Sequence, residues 1–169
     1  MEKYQETQRF ITSKWILVFV VIIAIASISG ITQLYTTGVD QITFIAPVVS
    51  LLVLVLFAFL GIETQINEEG VYVRFGFFRQ RLTLYKWTDM ESARLTKYSP
   101  LKEYGGWGYR RAFLSPNKRA YSVIGYYGLE LKFKDGSVVM IGTQNPDYLK
   151  EYLQVLKSKY KIQAIVDAN

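Results

Sequence analysis

Two stretches near the amino terminus, Trp15–Leu34 and Thr43–Ile62, contain no Asp, Glu, Lys or Arg and few polar residues of any kind. At ~1.5 Å of rise per residue, an uncharged helix of about twenty residues reaches ~30 Å, the depth of a bilayer's hydrocarbon core. Each Leu, Ile, Phe or Val at the centre of such a helix favours insertion by roughly 0.3–0.6 kcal/mol. The runs Ile16–Ile23 and Val48–Phe57 are built almost wholly of these residues. The pattern therefore predicts a two-helix transmembrane hairpin, with spans at about 15–34 and 43–62. Trp15 and Tyr35 stand where aromatic rings favour an interface. Pro47 stands in the opening turns of the second span, where a missing N–H costs little. Neither run holds an ionisable residue, so the pair reads as an anchor and transport is disfavoured.

Lys3, Arg9 and Lys14 precede the first run, and Lys and Arg resume at Arg74. The Tyr35–Ile42 connector has none. The positive-inside rule then places both termini in the cytoplasm of a multi-pass inner-membrane protein. A cleaved leader ending near Ala24-Ile25-Ala26 is the rival, but the apolar stretch continues beyond leader length to Leu34 and a second run follows.

After Ile62 the period changes to two. Thr64–Ile66 and Val71–Phe75 flank Asn67-Glu68-Glu69-Gly70, a tight turn whose glycine is expected at positive φ. Further alternation predicts strands at Arg79–Tyr85, Glu91–Tyr98, Tyr109–Leu114, Arg119–Ile124, Leu129–Phe133 and Ser137–Ile141. Between them lie a helical turn at Trp87–Met90 that Asp89 would cap, and turns at Ser115–Asn117, Gly125–Gly128 and Lys134-Asp135-Gly136. Asn145, Pro146 and Asp147 suit a helix start. Leu149, Tyr152, Leu153, Leu156 and Tyr160 then recur on one helical stripe. The expected class is α+β, mainly β: two transmembrane helices, then about seven antiparallel strands with a carboxy-terminal capping helix, the order of a pleckstrin-homology (PH) fold. The divisions are a tail at 1–14, the hairpin at 15–62, the β-rich domain at 63–160 and a tail at 161–169.

Composition narrows the chemistry. With no Cys there are no disulfides or thiolate sites, and with no His the usual metal ligand and near-neutral general base are gone. No enzyme, metal or cofactor is expected. The net charge of +6 sits in the carboxy-terminal part, where seventeen Lys and Arg face eleven acids. That excess either marks the cytoplasmic side or draws the domain to anionic headgroups.

Several motifs resemble the bacterial PH-like domain proteins, small membrane-anchored modules mostly of unassigned function. They are Trp87-Thr88-Asp89-Met90-Glu91-Ser92, the Lys97–Gly108 segment with its Tyr-Gly-Gly-Trp-Gly corner, Gly128-Leu129-Glu130-Leu131, Lys134-Asp135-Gly136 and Ile141–Pro146. The resemblance covers roughly Glu63–Leu156. It implies a PH-like fold and transfers no catalytic residue.

The corner is the candidate contact surface. Lys97, Lys102, Arg110 and Arg111 gather there with Tyr98, Tyr104 and Trp107, and Gly105 and Gly106 leave backbone N–H groups approachable, a combination that suits phosphate or a protein partner. The alternative is structural: glycines shaping a loop and Trp107 plugging a barrel. Lys118-Arg119 forms a second basic tip, and Phe75, Phe77, Phe78, Tyr126 and Tyr127 are assigned to packing. Gly125-Tyr126-Tyr127-Gly128 lacks the Lys-Ser/Thr of a phosphate loop. Three functions follow: an interaction module that binds a protein partner or self-assembles, an anionic-lipid headgroup binder, and, least supported, a membrane-bound enzyme. Nucleic acid is not expected, because no recognised motif accompanies the basic charge.

Overall fold

A computed structural model describes residues 3–10, 14–37, 48–53, 55–56, 59–76, 82–112 and 115–166. The chain divides into two units, Arg9–Leu60 and a discontinuous one made of Met1–Gln8 with Gly61–Asn169.

In the first unit, helix α1 covers Lys14–Thr37. Two of its hydroxyl side chains turn back on the helix: Ser27 donates to the Ile23 carbonyl (2.8 Å) and Thr32 to that of Ser29 (2.8 Å). Val18, Ile22, Ile25 and Ile28 are exposed, as are Val48, Leu51, Leu52 and Phe59. The transmembrane expectation is corrected here. Among the described residues no helix is long and apolar enough to cross a membrane. The second run is helical over residues 48–53. Its end is not helical at all: Gly61 and Ile62 open a strand, where Ile62 is buried opposite Phe75. The two-span hairpin, the integral membrane partnership and the inner-membrane location are accordingly withdrawn. Pro47 and residues 38–42 of the connector lie outside the described residues.

The second unit is mainly β. Its strands are β1 (Tyr4–Arg9), β2 (Gly61–Ile66), β3 (Gly70–Phe75), β4 (Thr83–Lys86), β5 (Met90–Lys97), β6 (Gly108–Ala112), β7 (Ser115–Ser122), β8 (Tyr127–Phe133) and β9 (Val138–Thr143). One sheet has the order β1-β2-β3-β4, the other β5-β8-β9-β7-β6. Two short helical pieces intervene, a 3₁₀ turn at Trp87–Asp89 and α2 (Pro100–Tyr104), and α3 (Pro146–Tyr160) closes the unit. This replaces the expected seven antiparallel strands. Nine are described, and β7 runs parallel to β9, with Tyr121 opposite Ile141. Ser115–Asn117 is the start of β7 rather than a turn, and residues 113–114 lie outside the described residues, as do 77–81, including Phe77 and Phe78. The first fourteen residues, read as a tail, supply β1.

Local chemistry explains the turns. The Asn67 side chain accepts from the N–H groups of Glu69 (3.0 Å) and Gly70 (3.1 Å), an Asx turn. Gly70 is not held there by positive φ, as expected from the turn signal; a Cβ on it would stand 2.2 Å from the Tyr85 carbonyl oxygen. At the β8–β9 hairpin, Asp135 accepts from the Ser137 N–H at 2.8 Å, and its carboxyl is held below its ordinary value by the Ser137 side chain first and by that backbone bond second. Asp89 does not cap its helical turn: Lys86 occupies the N-cap, and Thr88 donates to the Asp89 carboxylate.

The core draws on both sheets and α3. Ile62, Ile66, Val71 and Val73 come from one sheet, Leu129, Leu131 and Ile141 from the other, and Leu149, Tyr152, Leu153 and Leu156 from the helical stripe. Each such burial stabilises by about 1.5–3 kcal/mol. Tyr160, placed on the same stripe, is exposed, and so are Tyr126 and Tyr127, which were assigned to packing. Three side-chain hydrogen bonds join elements: Tyr152 donates to the Ile66 carbonyl (2.9 Å), Trp87 Nε1 to that of Asn67 (2.8 Å), and the Tyr85 and Tyr121 hydroxyls meet at 3.1 Å.

Candidate functional site

The corner begins where β5 ends. Pro100 starts α2, Glu103 folds back to accept from the Ser99 N–H (2.7 Å), and Gly105 ends the helix in the left-handed region at φ 72°. Gly106 and Gly108 follow at φ 129° and 108°, conformations that cost an L side chain dearly. The glycines are thus spent on turning the chain from α2 into β6.

Small residues line up across the sheet. Thr96 on β5 lies opposite Gly128, Gly128 opposite Gly142, and Gly108 opposite Ser122. A Cβ on Gly142 would stand 3.1 Å from the Tyr98 hydroxyl and 3.2 Å from the Ser122 side chain. These small residues make room on the outer face of the sheet for Tyr98, which meets Tyr104 edge-to-face at 6.0 Å. Together with Ala112, Ala120 and Met140 they form a second, small core. Burial pushes the Tyr104 phenol up to about 12, with the Glu103 and Glu130 charges adding to it, and burial likewise raises Tyr98. The Ser122 hydroxyl, close by, pulls Tyr98 the other way, although the two groups do not reach hydrogen-bonding geometry.

The nine candidate residues therefore separate. Tyr98, Tyr104 and Gly106 are buried, and Trp107 is half-buried with its indole nitrogen enclosed. Lys97, Lys102, Gly105, Arg110 and Arg111 are exposed. The cations do not converge either. Lys97 ends β5 and the arginines lie on β6, at opposite edges of the five-stranded sheet. Four strand spacings part them, a backbone separation of roughly 19 Å. A single phosphate cannot be held by all four.

What the structure does assemble is an edge along β6 that no described strand covers. Tyr109, Arg110 and Arg111 are exposed along it. Arg110 donates from Nε to the Trp107 carbonyl (3.1 Å), and neither arginine meets a carboxylate among the described residues. The register sets Arg111 directly opposite Arg119 on β7, a like-charge pair that destabilises. Elsewhere the sheet is neutralised: Arg94 and Glu130, also opposite one another, form an ion pair at 2.8 Å. The other edge is occupied. Ala93 on β5 donates to the Ala164 carbonyl (2.6 Å) and accepts from the Val166 N–H (2.9 Å), so the chain's own 164–166 segment lies along it.

Sequence reasoning missed a second polar constellation. On β1, Tyr4, Glu6 and Gln8 all face inward and are buried. The Glu6 carboxylate accepts from the Tyr4 hydroxyl (2.5 Å), Gln8 Nε2 (3.0 Å), the Thr143 hydroxyl (2.7 Å) and the Gln144 N–H (2.7 Å). Gln8 Nε2 also reaches the Gly142 carbonyl at 2.7 Å. Burial raises the Tyr4 phenol, and its bond to Glu6 raises it further. A carboxylate has about four lone-pair sites, and here each finds a donor. The group is saturated and serves as a staple between β1 and the β9–α3 junction. The strict alternation of Tyr4, Glu6 and Gln8 was the available signal, masked because two of the three buried positions are polar.

Among the described residues no cluster of His, Cys, Asp and Glu could hold a metal ion. A shallow surface depression on α3, lined by Gln154, Val155, Ser158 and Lys159, offers no convergent chemistry. No family model, curated protein or solved structure matches the chain.

Proposed function

We propose that the chain is a non-catalytic interaction module and that it contacts a protein partner through the β6 edge. One observation carries this reading: of the two edges of the larger sheet, one is covered by residues 164–166 and the other presents Tyr109, Arg110 and Arg111 uncovered by any described strand. An uncovered edge is a template for pairing, and proteins usually blunt it. Self-assembly through this edge is disfavoured, since two copies of β6 would bring four guanidinium groups together. The headgroup reading loses one of its four cations, since Lys97 stands at the opposite edge of the sheet from Arg110 and Arg111. The resemblance to PH-like domain proteins, itself a proposal, points to a binding role as well.

The test is photo-crosslinking in the cells that express the protein. A photoreactive residue replacing Tyr109 should give one discrete adduct with another protein, and the same residue replacing the exposed Tyr148 should not. A smear or silence at both positions refutes the reading.

A further inference from the structure

Resting on that reading, the geometry points to the chemistry of the partner: an extended segment with two adjacent acidic residues, added as an outer strand to β6. Successive residues of a strand face opposite sides, and the register confirms it for β6. Tyr109 and Arg111 share a face with Tyr121 and Arg119, while Arg110 lies on the other face beside Ala120. A strand laid against β6 meets a guanidinium on each face, so acids at consecutive positions satisfy both. On the Arg111 side, an incoming carboxylate also relieves the cross-strand opposition of Arg111 and Arg119. Charge-assisted pairs of this kind are roughly twice as strong as neutral hydrogen bonds.

The edge also limits the footprint. Pairing of β6 with β7 falls out of step after Arg111, where Ala112 meets Ser115 and residues 116–118 of β7 are left over, and such an irregularity ends regular pairing. Regular pairing thus extends from Gly108 to Arg111. Tyr109, half-exposed and 4.9 Å from the Tyr121 ring, offers an apolar contact next to the acidic pair. The preferred segment is short: two acids flanked by β-branched or aromatic residues. Backbone pairing supplies affinity, and alternate side chains supply selectivity.

The experiment selects a randomised decapeptide display library on the full-length chain in a mild non-ionic detergent. Enriched peptides are expected to carry two adjacent acidic residues. A synthetic copy of the leading peptide should slow amide exchange at Gly108–Arg111, and its affinity should fall at least tenfold on Arg110→Glu/Arg111→Glu and on the gentler Arg110→Ala/Arg111→Ala. Binding should weaken as salt rises. Enrichment of neutral or basic peptides, or protection of amides elsewhere, overturns the acidic-strand assignment while leaving an interaction module standing. Slowing of the same amides by phosphatidylglycerol vesicles or duplex DNA, without enrichment of acidic peptides, assigns the cations to those surfaces and also overturns it. Failure to enrich any sequence above a bare support overturns both readings.

Discussion

Replacing Glu6 by Ala is the most searching test of how this unit is held together. The side chain is buried and accepts four hydrogen bonds, from Tyr4, Gln8, Thr143 and Gln144. Removing it strands the donors. A buried donor left unmet costs about 1–3 kcal/mol, and relieving the burial of a charge returns part of the sum. Taking about 1 kcal/mol net per donor, with one donor recovered by solvent, the expected loss is about 3 kcal/mol. For a unit of this size that is a fall in Tm of roughly 10 °C. Glu6→Gln keeps one oxygen as an acceptor but turns an NH₂ toward the remaining donors, so it should lose about half as much. Because β1 lies at the edge of its sheet and enters from a distant part of the chain, the opening should begin locally. Amide exchange at Gln144 and along Tyr4–Arg9 should accelerate before any global change. The measurements are native-state hydrogen exchange and thermal unfolding by circular dichroism. A Glu6→Ala chain within about 0.5 kcal/mol of the parent, with Gln144 exchange unaltered, refutes the staple.

Three further outcomes are expected. Gly142→Ala should cost about 1–3 kcal/mol by crowding, and Tyr98→Phe in the same chain should recover part of it, since the Tyr98 hydroxyl is the nearest clash at 3.1 Å; denaturant melts of the two single variants and the double variant check this. Above pH 10 stability should fall: the Tyr104 phenol is raised to about 12 in the folded state, so the unfolded chain loses its proton first, and the stabilisation present below the ordinary value of ~10 drains away between pH 10 and 12. Absorbance at 295 nm should then show the buried phenols ionising together with unfolding, after the exposed ones. Leu156→Ala, deep on the inner stripe of α3, should cost about 2–5 kcal/mol in the same melts.

Much of the β-rich part was legible because its signals are local. Alternation placed β3, β5 and β8 near their observed bounds, and Asn145-Pro146-Asp147 marked the start of α3. Side-chain periodicity says which face a residue takes but not which strand lies beside it, so the parallel pairing of β7 with β9 could not be read. Gly128 was taken for a turn residue because nothing local distinguishes a glycine that bends the chain from one that admits Met140 and the Ile141 backbone, the atoms nearest its missing Cβ. The corner shows the same limit from the other side. Tyr98, Lys102, Tyr104 and Arg110 are close in sequence, and proximity suggested a common site. The fold buries Tyr98 and Tyr104, the latter on α2 itself, and leaves Lys97 and Arg110 at opposite sheet edges. The apolar runs gave the strongest sequence signal and the expectation that the structure does not support. The last two residues of the second run belong to β2, since an isoleucine that suits a bilayer suits a strand in a core equally well.

The same packing that disperses the predicted site also fixes the edge that replaces it. Where β6 begins, Gly108 lies opposite Ser122, and Ala112 at its far end is buried in the small core with Tyr98, Tyr104, Ala120 and Met140. On the inner side Tyr109 packs against Phe75 at 6.4 Å and Tyr121 at 4.9 Å. A strand pinned at both ends and on one face loses little freedom when another strand is added, and pre-ordered surfaces bind more tightly for the same contacts. The glycines of the corner and the buried Tyr98 and Tyr104 then matter to binding without touching a ligand. Weakening that small core with Tyr104→Ala should lower affinity for an acidic peptide even though Arg110 and Arg111 are intact, and should do so mainly by quickening dissociation. If the variant binds as the parent does while β6 amides exchange faster, the order of the edge contributes nothing and the arginines act alone.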